Sequence, residues 1–511
     1  MQNTAALSTF TCDAGPSPDS AQHRAPYAEA VRGFAERDWL RLNVPGHAAD
    51  RRESTVAEAV GRDLLALDFP PLLEGIDLGP APTALDRAQD LAAEAWGARR
   101  SYFLTDGASE GNRIVTCALA SLGGDVIVQR SVHSSVVDGL VLSGLGASFV
   151  QPSIDPGVGI AHGVSAEELA AAVRSNPSAV AAYVVTPSYF GAAADVRALA
   201  EVAHAADMPL IVDEAWGAHF GFHPLLPANA LSQGADVVVS STHKLGGSLT
   251  QSAMLHLGRG RFAETLEPLI DRAFRLFQST SASSILLASL DAARRDLVLG
   301  AAGIGRSIRS AEIIRQAVRD AGRFRVVSDS FDAFADIAAT DPLRIAIDTG
   351  AGGIGGHEAR RRLMTEHGVF VEVSTASAIV AVIGAGVVPQ AGRFLDALHA
   401  LPWTTRSSGD GDGDGDGAPG PGIRLPAPGP VALRPREAFL RPGDLVPAAH
   451  AVGRISADTL AAYPPGIPNV LPGEVVTAEV VAFLQQTAAS PNGHVRGAAD
   501  PGVSTLRVVA G

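Results

Sequence analysis

The sequence predicts an α/β protein built on a mostly parallel sheet with helices on both faces, and three observations predict it. From about residue 55 to 300, short apolar stretches alternate with helix-like ones, as in sheets whose parallel strands are joined by crossover helices. With 46% hydrophobic residues the chain has ample material for a buried core, and its length corresponds to about two to four domains. Polar residues recur just past the apolar stretches, among them Asp106, His133, Asp213, His243 and Lys244. In such sheets ligands sit at the carboxyl ends of the strands.

Taken in order, residues 1–54 mix polar, proline-containing and short helical text and read as an N-terminal arm. Residues 55–300 form the large domain. Here 81–97 reads as a helix followed by SYFLTDG, and 112–122 as a helix followed by the strand DVIVQ. Helix 136–145 leads to ASFVQP, helix 166–174 to AVAAYVVTP, and helix 196–206 to the strands PLIVDEA and ADVVVSSTHK. Residues 284–322 read as helical and lead out of this domain. A smaller α/β domain, 301–406, carries FRVVS, LRIAID, a helix over 357–367, VFVEV, IVAVIG and a helix near 392–401. Segment 407–422, SSGDGDGDGDGAPGPG, reads as a flexible linker. Its Asp-x-Asp-x-Asp-Gly opening resembles a calcium loop, but Pro421 stands where the bidentate acid is due. Residues 423–511 form a C-terminal domain with YPPGIP and a final strand-like STLRVVA.

Composition narrows the function. A net charge of −14 argues against a general binder of nucleic acid or anionic membranes. Cys12 and Cys117 cannot make a disulfide framework or a cysteine-based metal site, so no metal is expected. The N-terminus lacks the basic-then-apolar pattern of a signal peptide, and no apolar run is long enough to span a membrane. A cytoplasmic protein is expected.

One count is unusual. Of the 40 basic residues, 39 are arginine, and Lys244 is the single lysine. Lys244 falls just past one strand, and Asp213 ends another. An acid and a lysine at neighbouring strand ends suit pyridoxal phosphate. The amine can form a Schiff base with the aldehyde, which arginine cannot, and the carboxylate can keep the pyridine nitrogen protonated. Upstream, TDGASEGN is a small-residue turn entering a helix and offers backbone N–H groups to a phosphate. Ser241 and His243 could add phosphate contacts, and His133 could stack on the ring. Singly, each feature has an ordinary explanation as a cap, a turn or a core residue. Their order and spacing on one sheet are harder to dismiss.

At this point the chain resembles the bacterial ornithine/lysine/arginine decarboxylases, pyridoxal-phosphate enzymes of fold type I, the aspartate-aminotransferase fold. The resemblance rests on NVPGH, FLTDGASEGN, HSSVVDGLVLSG, VDEAWGAHF, STHKLGGSLTQSAMLH, STSASSILLASLDAARR and GRISADTLAAYPPGIPNVLPGE. It implies a mostly parallel seven-stranded sheet, with Lys244 holding the cofactor and Asp213 pairing with the pyridine nitrogen. It also implies that Ala108, Ser109, Ser241 and His243 hold the phosphate, that His133 stacks on the ring, that Ala215 contacts the cofactor, and that Lys244, His133, Asp213 and His243 serve catalysis. Thr280 is expected to reach the neighbouring subunit's phosphate, which implies a homodimer or an assembly of dimers. The chain resembles the shorter form of the family, with no receiver-like N-terminal domain. Three departures stand out. Ser281-Ala282-Ser283 replaces the family's Ser-Pro-Ser. Ser134 replaces the lysine after the stacking histidine. Leu245-Gly246 replaces Thr-Leu, a change that could alter the substrate end of the pocket.

The implied reaction is decarboxylation of a basic amino acid, with Asp68, Asp77, Glu372 and Glu474 as candidate acids for the cationic substrate. The alternative is another pyridoxal-phosphate reaction at the same site: transamination, elimination or oxidation. A non-enzymatic fate, with the fold kept as a regulatory or partner subunit, stays open too, although none of the cofactor residues has been lost. Gly350-x-Gly352-x-x-Gly355 with Glu372 beyond it offers a rival dinucleotide reading. Ser241-Thr-His-Lys244 satisfies Ser-x-x-Lys, but that class needs a second lysine. His219 and His223 lack the glutamate spacing of a zinc helix.

Overall fold

The computed structural model describes residue 17 and residues 20–49, 55–70, 72–403, 426–463, 467–490 and 493–511. The expected linker 407–422, Cys12 and residues 464–466 of YPPGIP lie outside them.

Seven strands form the central sheet: β1 (Arg100–Leu104), β2 (Asp125–Gln129), β3 (Gly146–Val150), β4 (Ala179–Val185), β5 (Leu210–Asp213), β6 (Val237–Ser240) and β7 (Ala253–Leu257). Their order is β1-β7-β6-β5-β4-β2-β3. Every pairing from β3 through β6 is parallel. β7 runs antiparallel to both β6 and β1. All residues of β5, β6 and β7 are buried, as expected of strands covered on both faces. β7 reads AMLHL, with no alternation of polar and apolar residues to mark it as a strand.

Helix boundaries shift for identifiable reasons. The first long helix of the large domain spans Ala84–Trp96 rather than 81–97. Thr83 and Asp86 form a reciprocal capping box that fixes its start, and Gly97 ends it in the left-handed conformation. The next spans Gly107–Ala120, starting earlier than its glycine-rich text suggests. Packing outweighs propensity there: a Cβ on Gly111 would lie 2.8 Å from Val239 Cγ1, so glycine lets the helix seat on β6. Helix Ser134–Ser143 lies against it, with Gly139 so close to Thr116 that no larger residue fits.

The smaller sheet, Arg325–Val326, Arg344–Asp348, Ala378–Val382 and Val373–Ser374, is antiparallel throughout. VFVEV contributes only its last residue to a strand, Val373–Ser374, and Phe370 within it is 72% exposed. Helices Gly356–His367 and Ala391–Ala400 flank this sheet. Near the C-terminus, Gly443–Pro447 pairs with Thr505–Val509, and Leu460–Tyr463 lies between Ile467–Val470 and His494–Arg496. These elements share a core with helix Ala478–Ala489. Arg130, just beyond β2, fastens them to the large sheet through a buried bidentate pair with Glu474 and bonds to the carbonyls of Pro468 and Asn469. Among the described residues no helix is long and apolar enough to cross a membrane.

Candidate active site

Asp213 is the last residue of β5 and is 2% exposed. One carboxylate oxygen accepts from Asn112 Nδ2 at 3.0 Å and the other from the Ala215 N–H at 3.0 Å. Asn112 projects from helix Gly107–Ala120, its Oδ1 accepts from the Tyr183 hydroxyl at 2.8 Å, and its amide also donates to Ser135 Oγ at 2.9 Å. Burial pushes the Tyr183 hydroxyl well above its usual pKa, so it remains a proton donor. Ser135 in turn lies 2.8 Å from His133 Nδ1, which also accepts the Ser135 N–H. That bond places the lone pair on Nδ1 and, in the neutral ring, the proton on Nε2. Burial lowers the His133 pKa; Lys244 and Arg496 push the same way, while Asp213 and Asp138 oppose them.

The other side of the cleft holds the lysine. Past β6, Thr242–Leu245 makes a single helical turn, closed by Lys244 N–H donating to the Ser241 carbonyl at 3.0 Å. Lys244 Nζ lies 3.9 Å from the centroid of a Trp216 ring, and Arg344 Cζ lies 4.1 Å from a ring centroid of the same indole. Burial lowers the Lys244 pKa to about 8, against the pull of Asp213 and with a further push from Arg344. Arg344 donates to the carbonyls of Tyr189 at 2.8 Å and Trp216 at 3.4 Å, and burial brings its own pKa down to about 10. His243 Nδ1 donates to the Ser252 carbonyl at 2.8 Å, leaving the Nε2 lone pair free in the neutral ring that burial favours.

Between the two sides, Ala108 and Ser109 lie in the first turn of helix Gly107–Ala120. Asp106, the N-cap, makes no side-chain cap and spends its carboxylate on Arg113 and Gln251. The Gly107 N–H donates to the Gln251 carbonyl at 2.7 Å. The following N–H groups have no acceptor within the helix, which is the arrangement that receives an anion. Ser241 is buried, and the Thr242 hydroxyl is buried without a hydrogen-bond partner among the described residues. Uncapped N–H groups, an unsatisfied buried hydroxyl, a held carboxylate and an amine of lowered pKa fit pyridoxal phosphate in donor set and charge. Ala215 lies half-buried beside Asp213.

Not every candidate joins this cluster. Thr280 is exposed, in the turn before helix Ser284–Leu299, and no hydrogen bond among the described residues ties it to the site. Glu474 is consumed by Arg130. Asp68 faces His47 at 3.2 Å, and Asp77 accepts the Leu73 N–H at 3.0 Å. Of the four candidate acids, Glu372 alone acts on Lys244, His243 and Arg344, drawing each toward its charged form. The dinucleotide reading fails because strand Arg344–Asp348 pairs only antiparallel, whereas that fingerprint needs a parallel βαβ unit. Its glycines serve packing: a Cβ on Gly352 would lie 2.5 Å from Phe324 Cε1. His219 is fully buried and hydrogen-bonded to Asp341 at 3.1 Å. Leu245 turns into the core, 1% exposed, in the same cluster as Trp216.

Asn112, Tyr183, Ser135, Trp216 and Arg344 were not among the candidates. Asn112 stands in a motif already quoted, at the same helix as Ala108, and helical spacing could have placed it on the sheet side. Tyr183 and Arg344 are hidden in apolar strand text and carry no local signal.

Residues 25–387 match the family model described as Orn/Lys/Arg decarboxylase, major domain, and residues 430–494 match that family's C-terminal domain. An arginine decarboxylase of Bacillus anthracis is 32% identical over 495 residues, covering 96% of this chain and 98% of that protein. An arginine decarboxylase of Bacillus subtilis is 31% identical over 499 residues, with the same shares. The solved structure of lysine decarboxylase A from Pseudomonas aeruginosa superposes with a TM-score of 0.76 at 21% identity, covering 95% of this chain and 80% of that one. That likeness extends the fold to nearly the whole chain.

Proposed function

The chain belongs to the Orn/Lys/Arg decarboxylase family and is a carboxy-lyase of that class, and from that premise we propose that it decarboxylates arginine using pyridoxal 5'-phosphate held at Lys244. The observation that carries this reading is the single lysine, half-buried against Trp216 with its pKa lowered to about 8, in the turn past β6, the strand beside the one that ends in a hydrogen-bonded Asp213. Arginine is favoured over lysine and ornithine because relatives named arginine decarboxylase match over almost their full length.

When bound, the cofactor supplies an aldehyde for the lysine amine and a ring that accepts the electron pair left by departing CO2. Lys244 would hold the cofactor through its amine, whose lowered pKa brings the free base within reach near neutral pH. Asp213, fixed by Asn112 and the Ala215 N–H, holds a proton on the pyridine nitrogen. His133 would stack on the ring, with Ala215 a further contact to the cofactor. Ala108, Ser109, Ser241 and His243 would receive the phosphate, with Thr280 reaching it from a second copy in a homodimer or an assembly of dimers. Lys244 or His243 returns a proton to Cα, and Glu372 draws in the guanidinium end of the substrate. The division into an arm (1–54), a large domain (55–300), a small domain (301–406), a linker (407–422) and a C-terminal domain (423–511) belongs to the same reading.

The test is incubation of cofactor-loaded protein with arginine, lysine and ornithine separately, following CO2 and amine. Arginine is expected to turn over fastest, and K244A is expected to lack both turnover and the visible absorption band. Absence of CO2 from all three substrates, or full activity in K244A, overturns the reading.

A further inference from the structure

The C-terminal region reaches the cleft with a cation. Strand His494–Arg496 ends in Arg496, whose guanidinium Nη1 donates to Ser134 Oγ at 2.5 Å. Ser134 is buried and is the first residue of the helix that His133 caps. A positive charge at a helix N-terminus stands at the disfavoured end of the helix dipole, so the helix itself does not attract Arg496 there.

We propose that Arg496 is a positioning residue for His133: it holds the head of the His133 helix through Ser134 and sets a positive charge, from the C-terminal region, beside the imidazole. The inference rests on the cluster being the cofactor site. The charged groups acting on His133 are Asp213 and Asp138, which favour its protonation, and Lys244 and Arg496, which oppose it alongside burial. Ser135 holds Nδ1 from below. With Arg496 in place the balance lies with a neutral imidazole, whose face can lie on an aromatic ring without bringing a second positive charge to it. R496Q removes that opposition, so His133 takes up its proton at higher pH.

The experiment uses holoenzyme labelled with carbon-13 at histidine Cε1, with the His133 resonance identified by its loss in H133N. The resonance is titrated in the wild type, R496Q, R496K and the S134K/R496Q pair. R496Q is expected to raise the His133 midpoint by about half a unit to one unit, the effect of removing one nearby charge. R496K is expected to stay near the wild type, and S134K/R496Q to return toward it. An unmoved midpoint in R496Q, or R496K shifting as far as R496Q, overturns the proposal. R496K decides the matter alone if lysine at the buried position 134 prevents folding. Failure of the wild type to develop the visible band of bound cofactor would instead overturn the assignment of the site, so the two failures are distinguishable.

Discussion

The Asp213 and Lys244 sides of the cleft are built by different physics. Around Asp213, Tyr183 donates to Asn112, Asn112 to Asp213 and Ser135, and Ser135 meets His133, at 2.8 to 3.0 Å throughout. Around Lys244, two cations share one indole, and the lysine ammonium has no hydrogen bond among the described residues. Hydrogen bonds fix the carboxylate of Asp213 in one orientation, whereas burial beside a like charge drives the Lys244 amine toward neutrality. One side is arranged to hold its group in place and the other to lower an amine's pKa. Pyridoxal-phosphate chemistry requires that division.

The largest expected effect comes from removing the charge on the Asp213 side without changing its shape. D213N keeps the volume but sets an amide where Asn112 and the Ala215 N–H both donate. Turnover should fall on the order of 10²- to 10³-fold, as for loss of a preorganised electrostatic partner. Steady-state kinetics with arginine and the position of the visible band check this. A variant with near-normal turnover would show that the Asp213 network is structural only.

A smaller effect is expected one step out. N112A leaves the Tyr183 hydroxyl buried without its acceptor and Asp213 without one of its donors. A buried polar group left unpaired costs about 1–3 kcal/mol, which should appear as a lower urea midpoint with turnover reduced less than in D213N. If N112A reduces turnover as much as D213N while leaving stability untouched, Asn112 acts on the reacting groups directly and the ranking of the two is wrong.

The same contrast explains how much was legible in the sequence. Crossover helices and apolar strands write the large domain plainly, and Lys244 and Asp213 stand out because they sit at strand ends. β7 is harder to read than β5 and β6 because AMLHL lacks both alternation and the β-branched residues that mark LIVD and VVVS. The supporting residues were hidden because their partners are remote in sequence: 71 positions separate Tyr183 from Asn112, and 101 separate Asn112 from Asp213. Arg344 sits inside LRIAID, where the pattern predicts a core strand and says nothing of an indole contributed by Trp216. Glu474 misled in the opposite direction. It stands in a motif shared with the family, yet its carboxylate closes a buried pair with Arg130 that fastens the C-terminal region to the sheet.

The finest test of the comparison is R344M on the Lys244 side. Methionine retains an apolar chain to pack on Trp216 but removes the charge that pushes the Lys244 pKa down. Burial, the larger cause, remains, and Asp213 and Glu372 continue to pull the pKa up. The sign is therefore upward from about 8, by roughly half a unit to one unit for one removed neighbour. Because only the free amine captures an aldehyde, the rate at which apoprotein takes up pyridoxal phosphate should rise with pH through that midpoint and then level off. In R344M the rise should move to higher pH while the plateau stays in place. A lost plateau would mean that Arg344 orders Trp216 and the lysine rather than tuning the amine. An unmoved midpoint would mean that burial alone makes Lys244 a base, and that the second cation on the indole serves the packing of the small domain.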